Sequence, residues 1–283
     1  MTAVAQTARR PGINLRLLVK AVAWGAIGFA WIALLQGDYF HDAKAYWSVD
    51  YDNLYGESLV GRFGTYLYSP AFAQALWPLT LLPWPVFAAV WSGLNLAALI
   101  WMAGPVIAAV LLFIPNSPVA DEISTGNIHL LIAAALVIGF RQSASYAFPL
   151  LTKVTPGVAV LWLGTAGFVR QFAMALGVTA GIVLVSFLIA PQQWRDWITL
   201  LTASSGVPVP ADIAVIPGPL WLRTALAAVL VLVTGRLGWR WGVPVAATLA
   251  LPVTWSSGLS VLVALIPLYR GQATAWVAQR RGR

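Results

Sequence analysis

The sequence predicts an all-α protein that crosses a membrane several times, and three observations support this fold class. Hydrophobic residues make up 60% of the 283 residues, charged residues only 9%, and the mean hydropathy is +0.80. Soluble domains carry about 25% charged residues, so this chain is expected to use lipid as its solvent. Its apolar runs are continuous rather than alternating, which indicates helices instead of the strands of a barrel.

The first span and the segment after it are the clearest elements. The span is predicted at residues 17–36, and the basic residues before it indicate a cytoplasmic N-terminus. Residues 37–68 form the longest polar segment and carry five of the nine acidic residues, so this segment is predicted to be an external loop. Its tyrosines and Trp47 are typical of a membrane interface.

Residues 69–270 are predicted to form the remaining membrane helices of a single transmembrane domain. A span needs about 20 residues, and several of the apolar runs are shorter, which indicates half-spanning helices. The predicted total is roughly 8–10 spanning and half-spanning helices. The runs are expected at 70–82, 84–102, 106–114, 128–140, 172–190 and 220–234, with a polar interruption at 115–127, an interfacial turn at 192–197 and a basic cytoplasmic tail at 271–283.

The charge distribution gives an orientation. The excess of 17 basic over 9 acidic residues is assigned to the positive-inside rule rather than to nucleic-acid binding. On this topology all nine acids are external, both termini are cytoplasmic, and the cell membrane is the predicted location. Non-helical backbone at membrane depth is tolerated only beside protein or a watery cavity. The repeated helix breaks therefore predict a cavity that opens on the external face.

Asp42 and Lys153 are the strongest candidates for chemistry. Asp42 follows the first span in an aromatic setting, where a carboxylate can act as a general base; the alternative is a solvated loop acid. Lys153 interrupts an apolar stretch, and an ammonium at that depth costs about 3 kcal/mol, so it should line a cavity or face an anion such as phosphate. The alternative is a lysine that snorkels to the surface. Thr155 begins the helix break beside it.

Other polar residues give weaker signals. Asn127 and His129 begin a short helix, and Asn127 can serve there as an N-cap. His41, beside the loop carboxylate, makes a histidine–carboxylate metal site conceivable, but the ligand set is too small to predict a metal. Arg62 and Arg223 are external cations that can contact phosphate or headgroups, or act as surface anchors. Motifs of nucleotide hydrolysis and of proteolysis are absent.

The order of these features resembles a known family. Between Asp38 and Tyr269 follow Asp42 with Tyr46-Trp47, Tyr68-Ser69-Pro70, Trp91 with Asn95, Gly126-Asn127, Lys153-Val154-Thr155-Pro156 and Leu251-Pro252-Val253-Thr254-Trp255. This succession resembles the GT-C glycosyltransferases, specifically the bacterial polyprenol-phosphate-mannose-dependent α-mannosyltransferases. The chain departs from that family at Ser256, Ser257 and Gly258, where Asp or His residues are common.

The resemblance implies a GT-C-like bundle that transfers a hexose, mannose by expectation, from a polyprenyl-phosphate donor to a lipid or glycan acceptor. Transfer would invert the anomeric carbon at the external face, with Asp42 as general base and Lys153 at the donor phosphate. Thr155 and Arg62 are expected to join Lys153. The cavity is expected to include His41, Tyr46, Tyr68, Asn95, Asn127, His129 and Trp255.

Three points complete the functional prediction. The expected partners are the donor, the acceptor and membrane lipid, with no nucleic acid and no assigned metal, although a divalent metal is left open. The first alternative is a transporter or flippase for a lipid-linked substrate, because broken helices also build transport sites. The second is a non-catalytic protein of this fold that binds lipid-linked glycan.

Overall fold

The computed structural model describes residues 14–56, 65–204 and 214–270. In these residues every regular element is a helix, which confirms the predicted all-α class. The α-helices are α1 (Leu15–Leu35), α2 (His41–Trp47), α3 (Pro70–Thr80), α4 (Trp84–Ala103), α5 (Pro105–Phe113), α6 (Pro118–Thr125), α7 (His129–Gly139), α8 (Ala147–Thr152), α9 (Leu161–Thr165), α10 (Val169–Ile189), α11 (Pro191–Ser204), α12 (Leu220–Arg236) and α13 (Gly242–Leu249). Three 3-10 helices lie at Ser143–Tyr146, Thr155–Val160 and Ser256–Ala264.

Three helices in the described part of the chain are long and apolar enough to cross a membrane: α1, α4 and α10. Their 20 or 21 residues correspond to about 30 Å of helix, the thickness of the hydrocarbon core of a bilayer. α5 and α6 pass the same test together but are bent by 88°, as in a broken span or a re-entrant loop. The prediction of a polytopic membrane protein with spanning and shorter helices is confirmed.

α1 and α10 present apolar surfaces to their surroundings. Phe29 on α1 and Leu188 on α10 are both 72% exposed, and such side chains fit lipid rather than water when many of them lie together. α4 lies deeper, with half of its apolar stretch buried. α4 therefore lies inside the helix bundle, whereas α1 and α10 present apolar faces that fit lipid.

Two arginines, Arg141 and Arg240, lie at the far end of α7. Phe140 follows α7, and its ring lies 5.0 Å from the ring of Trp162. The guanidinium of Arg240 lies 5.1 Å from the centre of the Phe140 ring. Arg141 is the next residue in the chain after Phe140. We call this region the arginine end. It lies one length of α7, about 16 Å, from the turn at Asn127.

An aromatic cluster fixes α2 against α3 and α4. The buried Tyr46 meets the rings of Tyr68, Phe72 and Trp91 nearly edge-on, with ring centres 5.1, 5.8 and 5.4 Å away. This edge-to-face arrangement is the favourable one for aromatic pairs, and each ring also buries a large apolar area. The short helix α2 is thus held in place by side-chain packing rather than by its own length.

The predicted interfacial turn at 192–197 is wrong, because these residues lie inside α11. Trp194 and Trp197 are spaced by three residues, so they share one helix face, and both are buried. The indole N–H of Trp197 donates to the carbonyl of Leu67 at 3.2 Å. The charged residues on the other faces concealed this helix in the sequence.

The predicted interruption at 115–127 also contains a helix, α6. The hydroxyl of Ser117 accepts the backbone N–H groups of Val119 and Ala120 and so caps the helix, and Pro118 occupies the first helical position. The segment is polar because it contains a short helix together with the residues that cap its two ends, Ser117 and Gly126.

Arg223 is buried, so its interpretation as a surface anchor is wrong. It is 6% exposed and donates hydrogen bonds of 2.8 to 3.2 Å to the carbonyls of Gly218, Leu249, Leu251 and Pro252. The chain breaks its helical pattern after α13, which leaves carbonyl groups without helical donors. The guanidinium supplies those donors from the first turn of α12.

Candidate active site

Asp42 is positioned by the start of α2. Phe40, the residue before this helix, has a φ of 70°, and its N–H donates to the carbonyl of Ser124 in α6 at 2.7 Å. The Phe40 side chain is buried. This contact docks the start of α2 on α6. Asp42 lies in the first turn of α2, where the free N–H groups of a helix favour negative charge.

Gly126 allows the turn between α6 and α7 to approach α2 closely. Its φ is 71°, a conformation that favours glycine, and a Cβ at this position would lie 2.6 Å from the Cβ of Ala43. The indole N–H of Trp91 donates to the Gly126 carbonyl at 2.7 Å. The turn is therefore fixed to both α2 and α4, and it presents the next residue, Asn127, to Asp42.

Asn127 holds one oxygen of the Asp42 carboxylate. Its Nδ2 donates to Oδ2 of Asp42 at 2.6 Å, while its Oδ1 accepts the N–H of Ile128 at 2.8 Å and faces the hydroxyl of Tyr68 at 3.5 Å. These two donors determine that the amide nitrogen faces the carboxylate. Within the described residues, Oδ1 of Asp42 makes no hydrogen bond, and Nε2 of His41 lies 4.0 Å from it. The carboxylate is thus held at one oxygen and open at the other.

Lys153 lies at a tight turn beside Tyr68. Its Nζ is 5.6 Å from the centre of the Tyr68 ring, a cation–π distance. The N–H of Thr155 donates to the Lys153 carbonyl at 2.6 Å across Val154, which has φ 52° and ψ −67°. A three-residue turn of this kind is rare and strained, more so at a β-branched residue. The turn fixes the point at which the Lys153 side chain leaves the backbone.

Tyr68 connects Lys153 to Asp42. Its ring faces Lys153, and its hydroxyl is hydrogen-bonded to the hydroxyl of Tyr46 at 2.8 Å and donates to Asn127, which in turn holds Asp42. The ammonium and the carboxylate therefore belong to one site. Among the described residues they form no direct ion pair, so both remain available to a third molecule.

Burial and neighbouring positive charges act in opposite directions on the pKa of Asp42. Burial raises the pKa of the Asp42 carboxyl above its ordinary value, and the charges of Lys153 and His41 act in the opposite direction. The Glu122 carboxylate raises this pKa as well, whereas the hydrogen bond from Asn127 lowers it. The carboxylate is still reachable, because 26% of its side-chain surface is exposed.

A second carboxylate lies buried behind the Asn127 turn. Oε1 of Glu122 accepts the backbone N–H groups of His129 and Leu130, and Oε2 is 2.8 Å from Nδ1 of the His129 ring. Both side chains are completely buried. Nε2 of His129 has no hydrogen-bond partner in the described residues. This pair spans the turn that carries Asn127.

The family comparison fits this geometry. A family model for glycosyltransferase family 87 matches residues 66–279, about three-quarters of the chain. The chain belongs to glycosyltransferase family 87. This is a GT-C-type family of membrane glycosyltransferases, so the predicted resemblance to GT-C enzymes is confirmed at that level. No curated protein and no solved structure matches the chain.

The family 87 match covers most of the site but not all of it. Tyr68, Asn127 and Lys153 lie inside the matched residues, whereas His41 and Asp42 precede them. The fold nevertheless brings α2 onto the matched part through Asn127 and the aromatic cluster. Seven predicted site residues are thus close together: His41, Asp42, Tyr46, Tyr68, Asn127, Lys153 and Thr155.

Three other predicted residues of this family 87 protein lie elsewhere. Asn95 is buried one turn further along α4, where its amide donates to the carbonyl of Trp91. His129 is turned toward Glu122, behind the turn. Trp255 precedes the last 3-10 helix, whose Ser256 hydroxyl donates to Asp121 of α6. Arg62 lies outside the described residues.

Glu122 is the residue that sequence reasoning missed. It lies in a polar segment with the neighbouring Asp121, so it looks like a solvated acid. Two features could have indicated its role. Ile128, at the N-cap position of α7, has no side chain that can cap the helix, and a glutamate lies close enough upstream to reach the free N–H groups. In the described residues, no cluster of three or more acidic, histidine or cysteine side chains could hold a metal.

Proposed function

We propose that this family 87 chain transfers a hexose, specifically mannose, from a polyprenyl-phosphate donor to a hydroxyl of a lipid or glycan acceptor. In this proposal the reaction inverts the anomeric carbon and takes place at the external face of the cell membrane, with both termini cytoplasmic. Family membership supports the glycosyltransferase activity itself. The sugar and the donor are taken from the resemblance to polyprenol-phosphate-mannose-dependent enzymes, and the orientation is inferred from the distribution of basic residues.

The observation that carries the proposal is the state of the Asp42 carboxylate. One oxygen is bound to Asn127, and within the described residues the other makes no hydrogen bond and lies 4.0 Å from Nε2 of His41. A general base needs an oriented carboxylate with a free oxygen within reach of the proton that it accepts. An acid that is only solvated in a loop would not need an orienting partner 85 residues away in the chain.

The step requires one base and one cation. The acceptor oxygen forms a bond to the anomeric carbon while the bond from that carbon to the phosphate oxygen breaks. The acceptor proton moves to the open oxygen of Asp42, and the polyprenyl phosphate leaves with the electron pair. Lys153 is suited to the charge that develops on the phosphate, because a cation that is already in position stabilises a leaving anion without reorganisation. Thr155 and Arg62 are proposed to assist at the phosphate.

The first experiment tests the base. Purified protein in liposomes is incubated with radiolabelled polyprenyl-phosphate mannose and a membrane lipid extract, and labelled glycolipid is measured. Asp42→Asn should lower the rate about 10²- to 10⁴-fold, the usual contribution of general base catalysis. The matched control is Asp50→Asn in the same segment. The Asp50 carboxylate is exposed and accepts the N–H of Asp52, so this variant should keep its activity.

The outcomes separate the proposals. Full activity of Asp42→Asn would reject Asp42 as the base. A wild-type protein that binds the donor but yields no glycolipid would favour the transporter or the non-catalytic binding protein instead. Movement of intact donor across the liposome membrane distinguishes those two.

The second experiment tests the phosphate site. Lys153→Met should weaken donor binding more than acceptor binding, because only the donor carries the anion. Lys44→Met is the matched control, since Lys44 is exposed on α2 near Asp42 but has no contact with Tyr68. Equal donor affinity in the wild type and in Lys153→Met would remove Lys153 from the proposed phosphate site.

A further inference from the structure

Two side chains stabilise the turn between α6 and α7: Asn127 binds Asp42, and Glu122 caps the start of α7. α7 begins after Ile128, whose side chain cannot cap a helix, so the first N–H groups of α7 need an acceptor from elsewhere. Asn127 is the type of residue that commonly caps a helix. Here its Oδ1 binds the N–H of Ile128 and its Nδ2 binds Asp42, so Asn127 is not available to the N–H groups of His129 and Leu130.

Glu122 caps these two N–H groups instead of Asn127. Its Oε1 accepts the N–H groups of His129 and Leu130, and its Oε2 is hydrogen-bonded to the His129 ring. The Glu122 carbonyl also accepts the N–H groups of Gly126 and Asn127. The residue therefore contacts the turn from both sides, through its side chain and through its backbone.

Burying this carboxylate has a cost that a simple cap would avoid. Removing an ionisable group from water costs several kcal/mol unless its partners compensate, and a serine at position 128 could cap α7 without that cost. The arrangement is understandable if Asn127 must keep a fixed orientation toward Asp42. A serine cap would leave the position of the preceding amide to the flexibility of the turn.

We propose that Glu122 is a positioning residue that, with His129, fixes the Asn127 turn and through it the orientation of Asp42. It acts through Asn127 and does not itself touch the substrate. The role of Asp42 as base rests on the function proposed above, whereas the coupling of Glu122 to Asn127 can be measured without it.

Two substitutions of Glu122 separate its positioning role from the presence of the carboxyl group. Glu122→Gln and Glu122→Ala both remove the carboxyl group, but only glutamine keeps an oxygen for the N–H groups of His129 and Leu130. Glu122→Ala should lower kcat about 10- to 100-fold, the effect expected from misplacing a reacting group, with little change in the donor KM. Glu122→Gln should restore most of that loss. Equal losses in the two variants would overturn the proposal.

A double-mutant cycle tests the route through Asn127. If Glu122 acts through Asn127, Glu122→Ala should lower kcat much less in the Asn127→Ala protein than in the wild type, because coupled residues are non-additive. Ser117→Ala is the matched control, since it removes the cap of the preceding helix α6 without touching Asn127. Its effect should add fully to that of Asn127→Ala. If the losses from Glu122→Ala and Asn127→Ala add fully, Glu122 only caps α7 and does not act through Asn127.

The same cycle is measured on the apparent melting temperature of the detergent-purified protein, which requires no activity. Asn127→Ala should lower the melting temperature in the wild type and in Ser117→Ala, but by clearly less in Glu122→Ala, where the turn is already released. An equal shift in all three backgrounds would overturn the coupling. If the wild type transfers no sugar, the proposed function fails, and this measurement still decides the role of Glu122.

Discussion

Asp42 is held by a neutral amide rather than by a cation. A lysine or arginine in direct contact typically lowers the pKa of a carboxyl by about 1–3 units and makes it a weaker base. The Asn127 amide donates a hydrogen bond and fixes direction without adding charge. Lys153 lies further away, beside Tyr68, so it can serve an anionic substrate while only moderating the basicity of Asp42.

The pH dependence of transfer follows from this arrangement. Burial raises the pKa of Asp42, and transfer needs the ionised carboxylate, so kcat/KM should rise with pH on an acidic limb above about pH 4, the ordinary aspartate value. In Lys153→Met the limb should move to higher pH, because the cation that favours ionisation is gone. His41 and Asn127 also lower this pKa, and Glu122 raises it.

The control for this prediction is His41→Gln. His41 is the ionisable side chain next to Asp42, so a limb that disappears in His41→Gln would belong to the histidine rather than to the carboxyl. A limb that stays at the same pH when Lys153 is replaced would contradict the electrostatic contact between Lys153 and Asp42.

Arg223 gives a prediction for stability. Arg223→Met keeps the aliphatic bulk but removes the donors to four carbonyls, and unsatisfied buried polar groups cost about 1–3 kcal/mol each in an unrelaxed site. The apparent melting temperature should therefore fall strongly. Arg236→Met, at the exposed other end of the same helix α12, is the matched control and should change little. Equal shifts for the two variants would contradict the role assigned to Arg223.

Lys153 could be singled out because an ammonium is at odds with its apolar neighbourhood, whereas Asp42 was singled out by its place after the first span, among aromatic residues. Such a conflict is visible in one sequence. The role of Glu122 was not visible, because it depends on a bend that returns its carboxylate to a helix beginning seven residues later. Arg223 was misjudged for the same reason: its partners are carbonyls released by a helix break about 26 to 29 residues away.

At the scale of elements, the contact of α2 with the α6–α7 turn depends on Gly126. Gly126→Ala should destabilise the protein and lower transfer, since the new methyl group would lie 2.6 Å from the Cβ of Ala43 and would push Asn127 away from Asp42. Gly104→Ala is the control without a collision, because nothing lies within 4 Å of the added Cβ. Its backbone, with φ 77° and ψ 159°, is more strained for alanine than that of Gly126, with φ 71° and ψ 31°, so a larger loss in Gly126→Ala must come from the collision. The two variants together separate strain from collision.

A second substitution tests the contact between positions 126 and 43 directly. Ala43→Gly should restore part of the activity of Gly126→Ala, because it removes the methyl group that the new side chain meets. Melting temperature and initial rate are measured for each protein. The contact between positions 126 and 43 does not determine the loss of activity if Gly104→Ala and Gly126→Ala lose the same activity, or if Ala43→Gly restores none.

Long apolar helices could be predicted closely, and short amphipathic ones could not. α4 was expected at 84–102 and α7 at 128–140, and both begin and end within a residue of those positions because a continuous apolar run defines them. α6 and α11 are polar enough to look like loops. Their helical structure depends on the Ser117 cap in one case and on the two buried tryptophans in the other.

At the scale of the whole molecule, helices of unequal length place the site below the rim of the bundle. Trp91, which binds the Gly126 turn, lies seven residues inside α4, about 10 Å along its axis. The Asp42 site is therefore recessed relative to the start of α4. A substrate anchored in lipid would need to enter such a site from the side rather than from bulk water.

The two ends of the molecule should face opposite compartments. The site lies at the start of α7 and the arginine end beyond its last residue, so the positive-inside rule puts Arg141 in the cytoplasm and the segment after α1 outside. Because the chain contains no cysteine, single cysteines can report this without background. Asp50→Cys and Arg141→Cys are suitable positions, since both residues are exposed.

A membrane-impermeant maleimide should label Asp50→Cys in intact cells and Arg141→Cys only in inverted vesicles. Ala133→Cys, at a completely buried position on α7, should resist labelling from either side and controls for leakage. Labelling of Asp50→Cys and Arg141→Cys from the same side would show that the site and the arginine end share a compartment. Labelling of Asp50→Cys only in inverted vesicles would reverse the orientation and would require a donor and an acceptor on the cytoplasmic face.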